Sequence, residues 1–437
     1  MPSGTDLRTE VVGGATTFVA LSYIVFVQPA VLSTTGMDAG AVLTATCVTS
    51  AFATALMGLW ARYPIAVAPA MGHNFYFAFV VAGPVASGGF GCPWPVALGA
   101  NCIAGLAFLV LSLIGLRERL IDAIPPSLQH AIAVGIGLLL ALVGFEWGGL
   151  VRAAPGTLVA LGDLHEPAVL VALGGTFVTA ALLARRSRGA ILVGTLATAV
   201  AAVLAGLVRW EGLVARPPSL APTFGRLDVA GALTPRLVPA VLVLLLLGLF
   251  DTVGTLVGVA ERAGFLVDGK LPRAREAMAT DALGTVVGTI LGTSTVTAYV
   301  ESAAGVEEGA RTGLASLVTA TLLLAALFFA PLARMAGAPV VVGDATLHPI
   351  VAPALIAVGS FMLRAVASVD FRDPPAALAS FLTIVTMPFA FSITEGIAFG
   401  FIAYAVLMVA AGRAREVHAL LYFFAAVFLV RYAFLAR

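Results

Sequence analysis

The chain has 437 residues, 60% of them hydrophobic and only 11% charged, whereas soluble domains average about 45–50% apolar and roughly 25% charged. Its formal net charge of +1 provides no basic stripe for nucleic acid. Fourteen spans of about 20 residues would leave only about 160 for loops and ends, too few for a soluble catalytic domain. The composition therefore predicts an all-α polytopic membrane protein.

The first apolar run, 11–32, lacks a basic segment before it and a small-residue cleavage site after it, so it reads as a first span rather than a signal peptide. With Pro, Gly and charge clusters taken as breaks, further spans are expected at 42–60, 64–83, 95–116, 128–147, 167–184, 189–208, 236–258, 279–292, 294–308, 312–333, 350–368, 376–391 and 395–411. A last stretch, 418–435, carries Arg431 near its middle. A buried arginine is expensive in a bilayer, which favours an interfacial or bundle-packed helix there over a fifteenth crossing. Cys47, Cys92 and Cys102 have neither paired count nor C-x-x-C spacing and read as packing residues.

With the N-terminus inside, sixteen Lys and Arg fall on the cytoplasmic side and six outside, Arg431 and Arg437 being left uncounted. The bias places both termini in the cytoplasm of a plasma (inner) membrane protein. Seven spans is an odd number, so a second seven-span unit must enter from the opposite side, the inverted-repeat plan of many secondary transporters.

The third and tenth spans are unusual at matching places. Tyr63-Pro64 and Ala68-Pro69-Ala70-Met71-Gly72-His73-Asn74-Phe75 bring two prolines and a glycine into the start of the third span, which excludes a continuous helix. Gly292-Thr293-Ser294-Thr295-Val296-Thr297-Ala298 opens the tenth with residues favouring extended backbone, and only from Glu301 does it become helix-compatible. Each span is expected to be a short extended piece followed by a half-helix, which is a pointer to a midplane binding site.

Of 23 acidic residues, Asp251, Asp281, Glu301 and Glu395 fall well inside apolar segments, with Glu146 nearer an end. Intramembrane carboxylates are functional by default. Asp281, at the expected start of the ninth span, reads better as an N-cap, and Glu395 as a first-turn acid complementing the dipole. Asp251 lies mid-span with no such explanation. Asn74 is one of only two asparagines; its amide suits either a ligand or frayed backbone. His73 suits a proton relay or packing against a neighbouring helix, and Gln28 is a weaker candidate. The Gly254-x-x-x-Gly258 and Gly284-x-x-x-Gly288-x-x-x-Gly292 spacings read as close-packing faces. Neither the nucleophile nor the metal motifs G-x-S-x-G and H-E-x-x-H occur, so enzyme chemistry, metal and organic cofactor are not expected.

The runs Phe250-Asp251-Thr252-Val253-Gly254-Thr255 and Thr293-Ser294-Thr295-Val296-Thr297-Ala298-Tyr299-Val300-Glu301 resemble the eighth and tenth helices of the azaguanine-permease-like (AzgA-like) purine transporters. These are a branch of the nucleobase–cation symporter-2, or xanthine/uracil permease, superfamily. Leu32-Ser33-Thr34-Thr35-Gly36-Met37-Asp38 and Tyr63-Pro64-Ile65-Ala66-Val67-Ala68-Pro69 extend the likeness over nearly the whole chain. The resemblance implies fourteen helices in two inverted seven-span repeats. A core would be built from 11–116 and 235–334, and a gate from 127–210 and 348–412, with 417–437 as a C-terminal apolar helix. It also implies proton-coupled uptake of adenine, guanine or hypoxanthine by alternating access. Members usually show Gly-Met-Gly-Leu-Asn where this chain has Ala70-Met71-Gly72-His73-Asn74.

A purine base is planar and rimmed with donors and acceptors. Carboxylates take its N–H groups and an aromatic ring covers its face. Glu301 and Asp251 are thus the expected substrate and proton-coupling carboxylates, with His73 as a further proton group. Asn74 and Thr297 are expected to assist, and Phe75 or Phe250 to stack on the base. The expected partners are a purine nucleobase, the lipid bilayer and a second copy joined through the gate; the alternatives are another nucleobase, xanthine or uracil, or a small anion.

Overall fold

The computed structural model describes residues 5–85, 89–114, 124–154, 157–187, 189–266, 271–430 and 432–433. Among them, eight helices are long and apolar enough to cross a membrane: Leu7–Ser33, Ala39–Ala61, Trp94–Ile114, Pro126–Trp147, Pro167–Ala184, Pro235–Ala260, Gly313–Gly337 and Ile393–Ala410. Shorter apolar helices cover Ala190–Leu204, Ala352–Ser368, Pro374–Phe389 and Ala419–Val430. The sequence signals explain where several begin. The side chains of Asp6, Asp38, Thr312 and Ser392 accept the N–H groups of Thr9, Ala41, Leu314 and Glu395 as N-caps. Pro126, Pro167 and Pro374 open their helices, where the missing N–H costs nothing. Glu395 lies in the first turn of its helix, where the sequence placed it as a dipole-complementing acid.

Three small antiparallel sheets interrupt the helices. β1 (Val67–Pro69) pairs with β4 (Val296–Ala298), in the register Val67 to Ala298, Ala68 to Thr297 and Pro69 to Val296. β2 (Val151–Ala154) pairs with β3 (Leu158–Leu161), and β5 (Val340–Val342) with β6 (Ala345–Leu347). β1 runs into the helix Met71–Phe75, continued to Val81, and β4 runs into Ser302–Glu307. The strand-then-half-helix expectation holds in both places.

Helix packing falls into two groups. Trp94–Ile114 packs on Ala274–Leu291, and Gly313–Ala325 packs on Leu7–Leu21 and Ala39–Leu56. Separately, Pro126–Trp147 packs on Ala352–Met362 and Pro374–Phe389, and Pro374–Phe389 on Ile393–Ala410. Ala419–Val430 lies against Ile393–Ala410, with Phe424 and Phe428 on Phe401. Arg431 lies outside the described residues. Cys47 and Cys102 are buried and unpaired.

Two sequence expectations need correction. Asp281 is not an N-cap: its helix is Ala274–Leu291, with Arg273 at the N-cap position. The charged turn Ala274-Arg275-Glu276-Ala277 precedes the apolar run, so hydropathy alone places the start too late. The glycines also divide. A Cβ on Gly284 would meet Val296 Cγ2 at 2.6 Å, and one on Gly288 would meet Thr49 Cγ2 at 3.0 Å, as a packing face requires. Among the described residues Gly254 and Gly258 have no such neighbour within 4 Å. They share the helix face of Asp251 and Thr255, and that face is open.

Candidate functional site

A two-stranded sheet inside a helical membrane protein must have every backbone group satisfied within the protein, since hydrocarbon offers no partners. Two threonines do this at equivalent places. Thr54 Oγ1, on the helix before β1, donates to Val67 O at 3.0 Å and accepts the Val67 N–H at 2.9 Å. Thr285 Oγ1, on the helix before β4, donates to Val296 O at 3.1 Å and accepts the Val296 N–H at 3.2 Å. Beyond the ladder, the Ala70 N–H reaches Thr295 O at 3.0 Å, the Tyr299 N–H reaches Ala66 O at 2.9 Å, and the Ala66 N–H reaches Ser302 Oγ at 3.0 Å.

Asp281 continues the same task. It is fully buried, and its Oδ2 accepts the Ala298 N–H at 2.8 Å and the Thr252 hydroxyl at 2.9 Å. It thereby ties the end of β4 to the residue next to Asp251. Gln28 is buried as well; its amide donates to Thr293 and Ser294, both at 3.0 Å, and holds the chain entering β4.

On the open side of the strands lies a cleft of about 120 Å³. Asp251 and Thr255 face it from one helix, Thr297, Tyr299 and Glu301 from β4 and its half-helix, and Met71 and Gly72 from the other half-helix. Tyr23 comes from the junction between Leu7–Leu21 and Ile24–Ser33, and Val358 and Met362 from the second packing group. Tyr23 donates its hydroxyl to Glu301 Oε1 at 2.8 Å, and Thr297 donates to Asp251 Oδ2 at 3.0 Å. Tyr299 donates to Pro69 O at 2.5 Å, so its ring is pinned across the strand pair. Each carboxylate is oriented by one hydroxyl and still borders the cleft. Such a site accepts N–H donors from a flat polar ligand and offers it a tyrosine ring.

The structure brings Asp251, Glu301 and Thr297 together. Asn74, His73 and Phe75 are buried and do not line the cleft. Helix phase accounts for His73, which stands about 200° round from Met71, whereas Phe75 returns to the Met71 side one turn later and is taken up by its ring neighbours. The Asn74 carbonyl accepts the Ser294 hydroxyl. His73 sits against the Leu244 backbone, and a Cβ on Gly248 would stand 3.8 Å from its Nε2. Phe75 packs on Phe79 and Trp147, with ring centroids 5.4 and 6.5 Å away, rather than offering a free face. The side chain of Phe250 lies outside the described residues.

Tyr23, Tyr299 and Thr255 are the contributors that sequence reasoning missed, and Asp281 is one that it noticed but assigned to capping. The only signal for Tyr23 was a polar tip in an apolar run, and its partner is 278 residues away. Among the described residues no cluster of three or more His, Cys, Asp or Glu could hold a metal ion.

The model of the Permease family, the xanthine/uracil permeases, matches residues 8–399. The chain is 43% identical over 444 residues to the guanine/hypoxanthine permease PbuG of Bacillus subtilis, covering 99% of this chain and 98% of that one. It is 40% identical over 433 residues to the adenine permease AdeP of Escherichia coli, covering 99% and 94%. Among solved structures, the transmembrane domain of the cyanobacterial bicarbonate transporter BicA superposes with a TM-score of 0.64 at 19% identity, covering 90% of this chain and 98% of that one. That likeness is one of fold alone.

Proposed function

Because the chain belongs to the Permease family of nucleobase–cation symporter-2 membrane transporters, we propose that it takes up purine nucleobases of the adenine, guanine and hypoxanthine class together with protons. The observation that carries this reading is the pair of carboxylates, Asp251 and Glu301, bordering one cleft between two interrupted segments. A base would present ring and exocyclic N–H groups to Glu301 and Asp251 and lie against Tyr299. A fixed anion would be repelled by the same acids, which disfavours a small-anion substrate. Asn74 and His73 would act from behind the strands, on their position rather than on the base.

In this reading the chain crosses the plasma membrane fourteen times as two inverted seven-span repeats, with both termini cytoplasmic and the gate available to pair with a second copy. The matched roles of Thr54 and Thr285 support the repeat, and the two packing groups support a core that carries the cleft and a gate that moves against it. A carboxylate that exchanges a proton when the cleft changes sides would couple uptake to the proton gradient.

The test is uptake of labelled adenine, guanine, hypoxanthine, xanthine and uracil in cells lacking their own permeases, with and without an uncoupler. Purine accumulation that collapses on uncoupling is expected. Glu301→Gln should abolish accumulation while the protein remains at normal level in the membrane. Accumulation by that variant, or accumulation indifferent to the uncoupler, would overturn the assignment.

A further inference from the structure

His73 and Asn101 are buried polar residues that the transport cleft leaves unused, and both border a second, much smaller void. That void measures about 10 Å³ and shares no lining residue with the cleft. Gly105 and Phe108 line it from Trp94–Ile114, Leu244 and Gly248 from Val238–Ala263, and Thr285 and Thr295 from beside β4. A Cβ built on Gly248 would stand 3.8 Å from His73 Nε2 and 3.9 Å from Phe108 Cδ1, so the imidazole edge and the Phe108 ring face each other across the space beside Gly248. Asn101 belongs to the same stripe of its helix as Gly105 and Phe108, at i, i+4 and i+7.

The polar atoms around this void are incompletely paired. His73 is 2% exposed and Asn101 0%, yet His73 Nε2 and Asn101 Nδ2 have no hydrogen-bond partner among the described residues. The other ring nitrogen of His73 meets the Leu244 backbone. The Leu244 N–H is used within its own helix, so the imidazole donates there and Nε2 is a bare acceptor. Thr295 spends its hydroxyl proton on Asn101 Oδ1 at 2.5 Å and keeps lone pairs free to accept. Thr285 is already engaged twice by Val296.

We propose that this void binds one structural water, which accepts from Asn101 Nδ2 and donates to His73 Nε2 and Thr295 Oγ1. A buried water needs two to four polar partners and about one probe sphere of room, and the void supplies both. The chemistry of the orphaned atoms selects the occupant. One is a donor and the other an acceptor, so a metal cation would leave Asn101 unsatisfied and an anion would leave His73 so. The water joins the half-helix carrying Met71 and Gly72 to β4, and it lies against the helix carrying Asp251, one turn before that acid.

The test is hydroxyl-radical footprinting by X-ray radiolysis of the detergent-purified full chain, read by mass spectrometry. Radiolysis turns a bound water into a radical that oxidises the side chains touching it, even where bulk solvent does not reach. Phe108 is the reporter, at 3% exposure, and Phe401, at 0% and packed on Phe424 and Phe428, is the control. Phe108 should be oxidised well above Phe401 in the wild-type chain. Gly248→Ala puts a methyl group into the void at ordinary contact distances, and His73→Leu removes the bare acceptor. Each should reduce Phe108 oxidation to the level of Phe401 while eluting as wild type does, and either variant suffices if the other fails to fold. Wild-type oxidation of Phe108 no greater than that of Phe401 would overturn the proposal in favour of a dry void. Oxidation that persists in either folded variant would overturn it in favour of solvent arriving by another route.

Discussion

Glu301 is held by a single phenol, and that contact sets a prediction at the level of one side chain. Tyr23 donates to Oε1 at 2.8 Å from a helix junction distant in sequence. A hydrogen bond to a charged group contributes about 1.5–3 kcal/mol, so Tyr23→Phe should raise the KM for base uptake at least about tenfold at unchanged membrane level. A KM equal to wild type would show that the phenol does not orient the acid. Asp251 and Glu301 were legible in the sequence because a carboxylate in an apolar run has few other reasons to exist. Asp281 was equally legible as an oddity but was assigned the wrong task. Its partners, the Ala298 N–H and the Thr252 hydroxyl, come from other elements, and spacing along one helix cannot reveal them.

At the scale of elements, the crossing strands depend on two hydroxyls. Valine has the shape of threonine but neither donates nor accepts. Thr54→Val would therefore orphan both backbone groups of Val67, and Thr285→Val those of Val296. An unsatisfied buried group costs about 1–3 kcal/mol, so each variant should melt several degrees below wild type in detergent, and by similar amounts. Thr→Ser at the same positions should restore most of the loss. A large effect at one site and none at the other would contradict their equivalence. That these segments would be extended and then helical followed from proline, glycine and β-branched residues. That they would pair with each other, and in which register, did not, because 229 residues separate Val67 from Val296.

Across the whole molecule, the two packing groups meet at a cluster of rings. Phe79 follows the first half-helix, and its ring centroid lies 5.7 Å from Phe391 and 6.4 Å from Trp147. Trp147 in turn stacks on His348 at 4.7 Å, and the His348 N–H reaches Trp147 O at 2.8 Å. If transport requires these groups to separate, then Phe79→Cys with Phe391→Cys, joined by a short thiol-reactive linker in a chain freed of Cys47, Cys92 and Cys102, should stop uptake. Reductive release of a cleavable linker should restore it. Full uptake by the cross-linked protein would mean that this contact does not open.

Composition alone determined that the chain lives in a bilayer, because no soluble fold tolerates so few charges. Local sequence determined where its helices break and which acids are anomalous, because proline, glycine and an isolated carboxylate act within a turn or two of themselves. Only the tertiary structure decided which anomalies meet. It put Asp251, Thr297 and Glu301 on one cleft and left Asn74, His73 and Phe75 buried outside its lining. It also opened the Gly254 and Gly258 face that spacing had read as packed. Those outcomes depend on helix phase and on contacts between segments hundreds of residues apart, and a hydropathy pattern carries neither.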